Sequence, residues 1–116
     1  MAELTVYEKP TCTTCRKLAV LLRERGIDFD SVEYHVTGLT EDELRGLLAK
    51  AGVGPHAVLR RREPRAKELD LDALDDDALI AQMVAHPALV ERPIVVRGDR
   101  AVLARPVERV LELLGG

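Results

Sequence analysis

The sequence is short of aromatic residues, with two tyrosines, one phenylalanine and no tryptophan among its 116 residues. The core must therefore be built from Leu, Val, Ile and Ala, and hydrophobic residues at 47% of the chain are sufficient for this. A chain of this length is typical of one folded unit. We therefore expect a single domain over residues 1–116.

Long apolar runs and an excess of positive charge are also missing. No segment approaches the roughly 18 consecutive apolar residues that a membrane span requires, and no basic region followed by an apolar run marks a signal peptide. The net charge of −3 disfavours nucleic-acid binding through overall basicity. We expect a cytoplasmic protein that contacts neither a membrane nor nucleic acid directly.

Cysteine is scarce as well, since the only two lie in KPTCTTCRK, residues 9–17. In a reducing compartment such a pair is typical of catalytic, redox-sensing or metal-binding sites rather than structural disulfides. A zinc site needs about four ligands, and His35, His56 and His86 are scattered without paired spacing. Inert filling of a core is disfavoured because Cys12 lies in a polar loop. We therefore expect a redox role and no metal.

The first half of the chain predicts a β-α-β unit. Residues 3–8 (ELTVYE) alternate as in a strand, residues 14–26 place leucines at helical spacing before Gly26, and residues 28–36 (DFDSVEYHV) alternate again. Strands joined in this way run parallel with a right-handed crossover.

A helical insert and a second β-strand pair follow. Thr40 and Glu43 form a capping box that begins one helix, and a later apolar stripe, which includes Met83, predicts another helix. Ile94–Arg97 and Arg100–Leu103 flank a two-residue turn suited to a hairpin, and Pro106 suits the first position of a closing helix. The predicted class is α/β, a thioredoxin-like fold with a mixed four-stranded sheet (β-α-β … β-β-α) and a helical insert at about residues 40–90.

The cysteine pair falls where this fold begins its first helix. Unpaired N–H groups and a partial positive charge at a helix N-terminus favour a thiolate, and Lys9, Arg16 and Lys17 add cations. Cys12 is thus placed as the nucleophile, and Cys15, about one turn later, can resolve a mixed disulfide.

Three further segments carry a family resemblance: HAVLRRREP (56–64), HPALVERPIVV (86–96) and VLARP (102–106). With the Cys12 loop, they resemble the arsenate reductases of the glutaredoxin-coupled type, a family that includes the Spx regulators, along essentially the whole chain. The resemblance implies that Cys12 attacks the substrate and that Arg60, Arg92 and Arg105 hold an oxyanion. Arginine suits that role because its forked donors match oxyanion geometry and keep their charge.

The resemblance also implies a cis peptide bond before Pro93, facing the cysteine, whereas Arg61, Arg62 and Arg65 are interpreted as solvent-facing charges. No tightly bound cofactor is expected. Glutathione or another small thiol would act as co-reductant, and glutaredoxin or thioredoxin as the reducing partner.

Two positions depart from the reductases. Cys15 stands where they usually have serine, and Glu8 stands where they often have histidine; a carboxylate there is expected to raise the Cys12 pKa. The paired cysteines look more like Spx. The alternative function is therefore a redox-sensing regulator that binds RNA polymerase and switches through a Cys12–Cys15 disulfide.

Overall fold

The computed structural model of the protein describes residues 3–114, which form one four-stranded sheet with helices on both faces. The strands are β1 (Leu4–Tyr7), β2 (Phe29–Val32), β3 (Ile94–Arg97) and β4 (Arg100–Leu103). The helices are α1 (Thr13–Glu24), α2 (Tyr34–Thr37), α3 (Glu41–Ala51), α4 (Pro64–Lys67), α5 (Asp76–Ala85) and α6 (Leu111–Leu114), with 3₁₀ turns at Pro55–Val58, Pro87–Leu89 and Val107–Val110.

The strand order is β2-β1-β3-β4, and the sheet is mixed. β1 and β2 are parallel, whereas β3 runs antiparallel to both β1 and β4. With the crossover helix α1 and four helices between β2 and β3, this topology confirms the predicted thioredoxin-like fold. The single-domain boundary over the full chain stays a prediction.

The alternation of side chains across the sheet creates two apolar cores. Val6, Val95 and Val102 are paired neighbours on one face and pack with α1 and the C-terminal helical segment. On the other face, Ile94 joins a larger cluster that includes Met83 of α5. The helical insert therefore covers one side of the sheet, and α1 with the segment from Val107 to Leu114 covers the other.

The predicted second strand is too long. β2 ends at Val32, and residues 34–37 form the short helix α2. Tyr34 is fully buried, and its hydroxyl donates a hydrogen bond to the carbonyl oxygen of Val90, whereas Val36 is 74% exposed. The alternation of Val32, Tyr34 and Val36 thus reflects one strand residue, one anchored aromatic and one solvent-facing residue.

The closing helix also begins differently from its prediction. Pro106 precedes a 3₁₀ turn at Val107–Val110, which passes into α6, so it is not the first α-helical residue. Gly115 and Gly116 lie outside the described residues. Within residues 3–114, no helix is both long enough and apolar enough to span a bilayer.

Candidate active site

Cys12 occupies the N-cap of α1 with an extended backbone conformation. Its N–H donates to the carbonyl oxygen of Lys9 at 2.9 Å, and its own carbonyl accepts the Arg16 N–H at 3.0 Å. The thiol is partly exposed, whereas Cys15, in the first helical turn, is only 1% exposed. Both thiols are free.

The surroundings of Cys12 favour its thiolate. Partial burial opposes ionisation, but hydrogen bonds from the Cys15 N–H and thiol, from the Arg92 guanidinium and from the Thr14 N–H outweigh it. Together they lower the pKa of Cys12 to about 7. The helix N-terminus therefore stabilises the thiolate, and Arg92 is the cation that donates a hydrogen bond to the thiol. The expected contribution of Lys9, Arg16 and Lys17 stays a prediction.

Cys15 has the opposite protonation preference. Burial is the largest cause, and the neighbouring Cys12 and the charge of Glu8 add to it, so the pKa of Cys15 is raised to about 12 despite a hydrogen bond to the Lys9 backbone. Glu8 thus raises the pKa of the buried Cys15 thiol, and its expected effect on Cys12 stays a prediction that other contributions outweigh.

Cys12 opens into a polar cleft of about 620 Å³. The cleft brings Cys12 together with Arg60, Arg92 and Arg105, the three arginines singled out from the sequence. The remaining wall consists of Lys9, Thr11, Thr13, Thr14 and Arg62. Five cationic side chains thus face the space beside the thiol, whereas Cys15 is absent from this wall and lines a different, more apolar groove.

Arg92 is the most deeply placed of the three arginines, with 6% of its surface exposed. Proximity to the Tyr34 hydroxyl and to the Cys12 thiol raises its pKa against the opposing effect of burial. Within residues 3–114, no hydrogen-bond acceptor meets its Nε. The following Arg92–Pro93 peptide bond is cis, as the resemblance implied.

Arg60 and Arg105 share one carboxylate. Nη1 of Arg60 lies 3.0 Å from Oε1 of Glu91, and Nη1 of Arg105 lies 3.6 Å from the same oxygen. Arg105 also donates to the backbone carbonyl of Arg92 at 2.7 Å. These contacts hold the guanidinium groups close together although they repel one another.

The site contains two residues that sequence reasoning missed. Arg62 lines the cleft, although the sequence interpretation made it a solvent-facing charge; its side chain is both exposed and directed at this concave surface. Glu91 is the second such residue, and the only sequence signal for it is its position directly before Arg92. Arg61 is exposed and does not line the cleft, and Arg65 pairs with Glu68 outside it.

Metal coordination receives no geometric support from the described part of the chain. Residues 3–114 contain no group of three His, Cys, Asp or Glu side chains arranged to hold an ion. The charged side chains in the cleft wall are all cationic, so the cleft suits an anion.

Taken together, a thioredoxin-like fold with a partly ionised thiol at a helix N-terminus and an arginine-lined cleft defines a class of thiol-dependent oxidoreductases. The family model named ArsC family matches residues 7–113. The arsenate reductase of Escherichia coli K12 is 40% identical, with 98% of this chain and 82% of that protein covered. An uncharacterised E. coli protein, YfgD, is 38% identical, with 97% and 98% covered.

The solved structures agree with the sequence relatives. An arsenate reductase from Vibrio cholerae superimposes with a TM-score of 0.89 at 39% identity, covering 94% of this chain and 95% of that one. A putative arsenate reductase from Yersinia pestis gives 0.86 at 37% identity, covering 94% and 98%. The chain belongs to the ArsC family and is an arsenate-reductase-like oxidoreductase.

Proposed function

We propose that this protein reduces a tetrahedral oxyanion at Cys12, with arsenate as the first substrate to test. The observation that carries the proposal is the meeting of a thiol of pKa about 7 with Arg60, Arg92 and Arg105 in one cleft. A thiolate is the nucleophilic form of cysteine, and guanidinium groups stabilise the negative charge of an oxyanion.

The proposed reaction proceeds in two thiol steps. The Cys12 sulfur attacks As(V) and forms an S–As bond while one protonated oxygen leaves as water. A second thiol then attacks the Cys12 sulfur. The S–As bond breaks with its electron pair on arsenic, so As(V) becomes As(III), the two sulfurs form a disulfide, and arsenite leaves.

Two thiols are candidates for the second step. Cys15 is close in sequence, but its pKa of about 12 keeps it protonated at neutral pH, and its burial limits its freedom. A small thiol such as glutathione can enter through the open cleft in front of Cys12. Glutaredoxin or thioredoxin would then reduce the resulting disulfide, and no tightly bound cofactor is needed.

The test is a coupled assay with arsenate, glutathione, glutaredoxin, glutathione reductase and NADPH. NADPH oxidation should depend on arsenate, fall to background in Cys12→Ser, and fall on the order of a hundredfold in Arg60→Gln because one oxyanion donor is lost. Arg61→Gln, which changes the adjacent exposed arginine, is the matched control and should keep the wild-type rate. Absence of arsenate-dependent oxidation at every protein concentration would overturn arsenate as the substrate.

A second candidate is the redox-sensing regulator of the Spx kind. What favours it is the second cysteine one turn from the first, where the pair can join by losing two electrons to an oxidant. Oxidised protein would then retain RNA polymerase on a column and reduced protein would not, and Cys15→Ser would abolish the difference. Equal retention of both redox forms would contradict this function.

A further inference from the structure

Glu91 is the carboxylate that contacts two of the cleft's arginines. Its Oε1 lies 3.0 Å from Nη1 of Arg60 and 3.6 Å from Nη1 of Arg105. Only 18% of the Glu91 side chain is exposed, compared with 29% for Glu63, which approaches Arg60 alone at 3.4 Å. Glu91 is therefore the most sheltered counter-charge of the arginine group.

The backbone holds Glu91 in this position. Leu59 and Val90 form an antiparallel bridge. The Arg60 N–H donates to the carbonyl of Leu89 at 2.8 Å, and the Glu91 N–H donates to the carbonyl of Val58 at 2.7 Å. Because hydrogen bonds fix both chain segments, the pairing of Arg60 with Glu91 belongs to the fold and is not an incidental surface contact.

Glu91 also leaves the space for a bound anion free. The cleft wall contains Arg60 and Arg105 but not Glu91, although Glu91 contacts both arginines. A bound anion and the Glu91 carboxylate would therefore share the same two guanidinium groups. Glu91 would act on the anion through charge across a short distance rather than through contact.

We propose that Glu91 is a specificity-determining residue that limits the cleft's preference for doubly charged over singly charged tetrahedral anions. Its negative charge offsets part of the field of Arg60 and Arg105. Coulomb energy is proportional to the charge of the ligand. The Glu91 charge therefore reduces the binding free energy of a dianion by twice as much as that of a monoanion of the same shape. The inference rests on the proposed oxyanion site but not on any particular reaction there.

The test compares sulfate, a dianion, with perrhenate, a tetrahedral monoanion, at constant ionic strength. Binding is followed by nuclear magnetic resonance from the amide signals of Thr13 and Thr14 in the cleft wall, without turnover. Glu91→Gln should tighten perrhenate binding on the order of tenfold and sulfate binding on the order of a hundredfold, because the factor for a dianion is the square of that for a monoanion. Glu91→Asp keeps the charge and should keep the wild-type ratio of the two affinities.

Glu68→Gln is the matched control, because Glu68 pairs with Arg65 and neither lines the cleft. It should change neither affinity. The inference would be overturned if Glu91→Gln changed the affinities for sulfate and perrhenate by the same factor, left both unchanged, or weakened either.

The outcome for Glu91 is separable from that of the proposed reaction. Anion binding with the expected factors but without arsenate turnover would overturn the reaction and support the role of Glu91. Arsenate turnover, combined with equal changes in sulfate and perrhenate affinity in Glu91→Gln, would overturn only the role of Glu91. Failure of wild-type protein to bind either anion would overturn the oxyanion site and this inference together.

Discussion

At the residue scale, the two cysteines differ in their protonation at neutral pH because their environments differ. Cys12 is the partly exposed N-cap of α1, whereas Cys15 is buried in the first turn of that helix. Cys12 receives hydrogen bonds from the helix N-terminus and from Arg92, and its pKa falls to about 7. Cys15, three residues later, is buried, and its pKa rises to about 12. At neutral pH the Cys12 thiol is therefore partly ionised, whereas the Cys15 thiol stays protonated.

Arg92→Gln should raise the pKa of Cys12 from about 7 towards the ordinary value of 9.0. The variant removes the guanidinium that favours the thiolate but leaves the backbone N–H groups in place, so we expect part of the shift to remain. The measurement is the ultraviolet absorbance of the thiolate as a function of pH, made on Cys15→Ser protein so that one thiol titrates. Arg61→Gln in the same background is the control, and an unchanged pKa in Arg92→Gln would contradict the role of Arg92.

Cys15→Ser should retain most of the glutathione-dependent turnover. A protonated, buried thiol attacks slowly because thiol–disulfide exchange proceeds through the thiolate, whereas glutathione reaches Cys12 through the open cleft. We expect a change in kcat of less than about threefold, measured in the coupled assay with glutathione in excess. A loss on the order of a hundredfold would instead make Cys15 the resolving thiol.

At the element scale, sequence patterns predicted the bounds of helices and strands correctly where a single local cause, such as a turn glycine or a capping box, determined them. The hairpin of β3 and β4 has its predicted bounds because Gly98, at a φ of 63°, supplies the turn that its sequence indicated. α3 begins at Glu41 after the predicted capping box. The prediction that β2 continues to Val36 was wrong because Tyr34 is buried by tertiary packing, which overrides the local alternation of the sequence. The helix α4 was not predicted because four residues are too few to show a helical period.

The residues of the candidate site also differ in how far the sequence alone predicts them. Cys12 and its position before α1 follow from local pattern, but the grouping of Arg60, Arg92 and Arg105 was expected only from family resemblance. No spacing rule relates residues so far apart in sequence. The Glu91 contact depends on the Leu59–Val90 bridge, a long-range pairing that periodicity does not reveal.

Thr40→Ala should lower the free energy of unfolding by about 1 kcal/mol. The Thr40 hydroxyl accepts the Glu43 N–H at 3.1 Å, and the Glu43 carboxylate accepts the Thr40 N–H at 3.1 Å, so α3 loses the first half of a reciprocal cap. Urea denaturation measures the loss, and Thr40→Ser, which keeps the hydroxyl, is the control. An unchanged midpoint in Thr40→Ala would show that solvent replaces the cap without cost.

At the scale of the whole molecule, the sheet separates two cores while the site lies where chain segments from both faces meet. α1 packs on the core that contains Val95, and the 3₁₀ turn before Leu59 packs on the core that contains Ile94. The Cys12 loop and the Arg60 segment thus come from elements on opposite sides of the sheet. The environments of Cys12 and Cys15 exist only in the folded protein, so the protonation of both thiols is linked to global stability.

That linkage predicts how stability depends on pH. The pKa of Cys12 is lower in the folded protein, about 7, than its ordinary value of 9.0, so between these values the unfolded chain binds more protons and stability rises with pH. The pKa of Cys15 is raised from 9.0 to about 12, so above pH 9 the folded protein binds more protons and stability falls. The thiol pair therefore contributes most near pH 9.

The expected rise from Cys12 between about pH 6 and pH 9 is on the order of 1 kcal/mol, a value discounted for its partial exposure to solvent. Urea denaturation of fully reduced protein across this range, with wild type and Cys12→Ser compared at each pH, isolates the thiol from the carboxylates and histidines that both proteins share. The difference in unfolding free energy should grow with pH. A difference that stays constant from pH 6 to pH 9 would mean that Cys12 ionises alike in the folded and unfolded chain, and the stabilised thiolate on which the proposed chemistry depends would be absent.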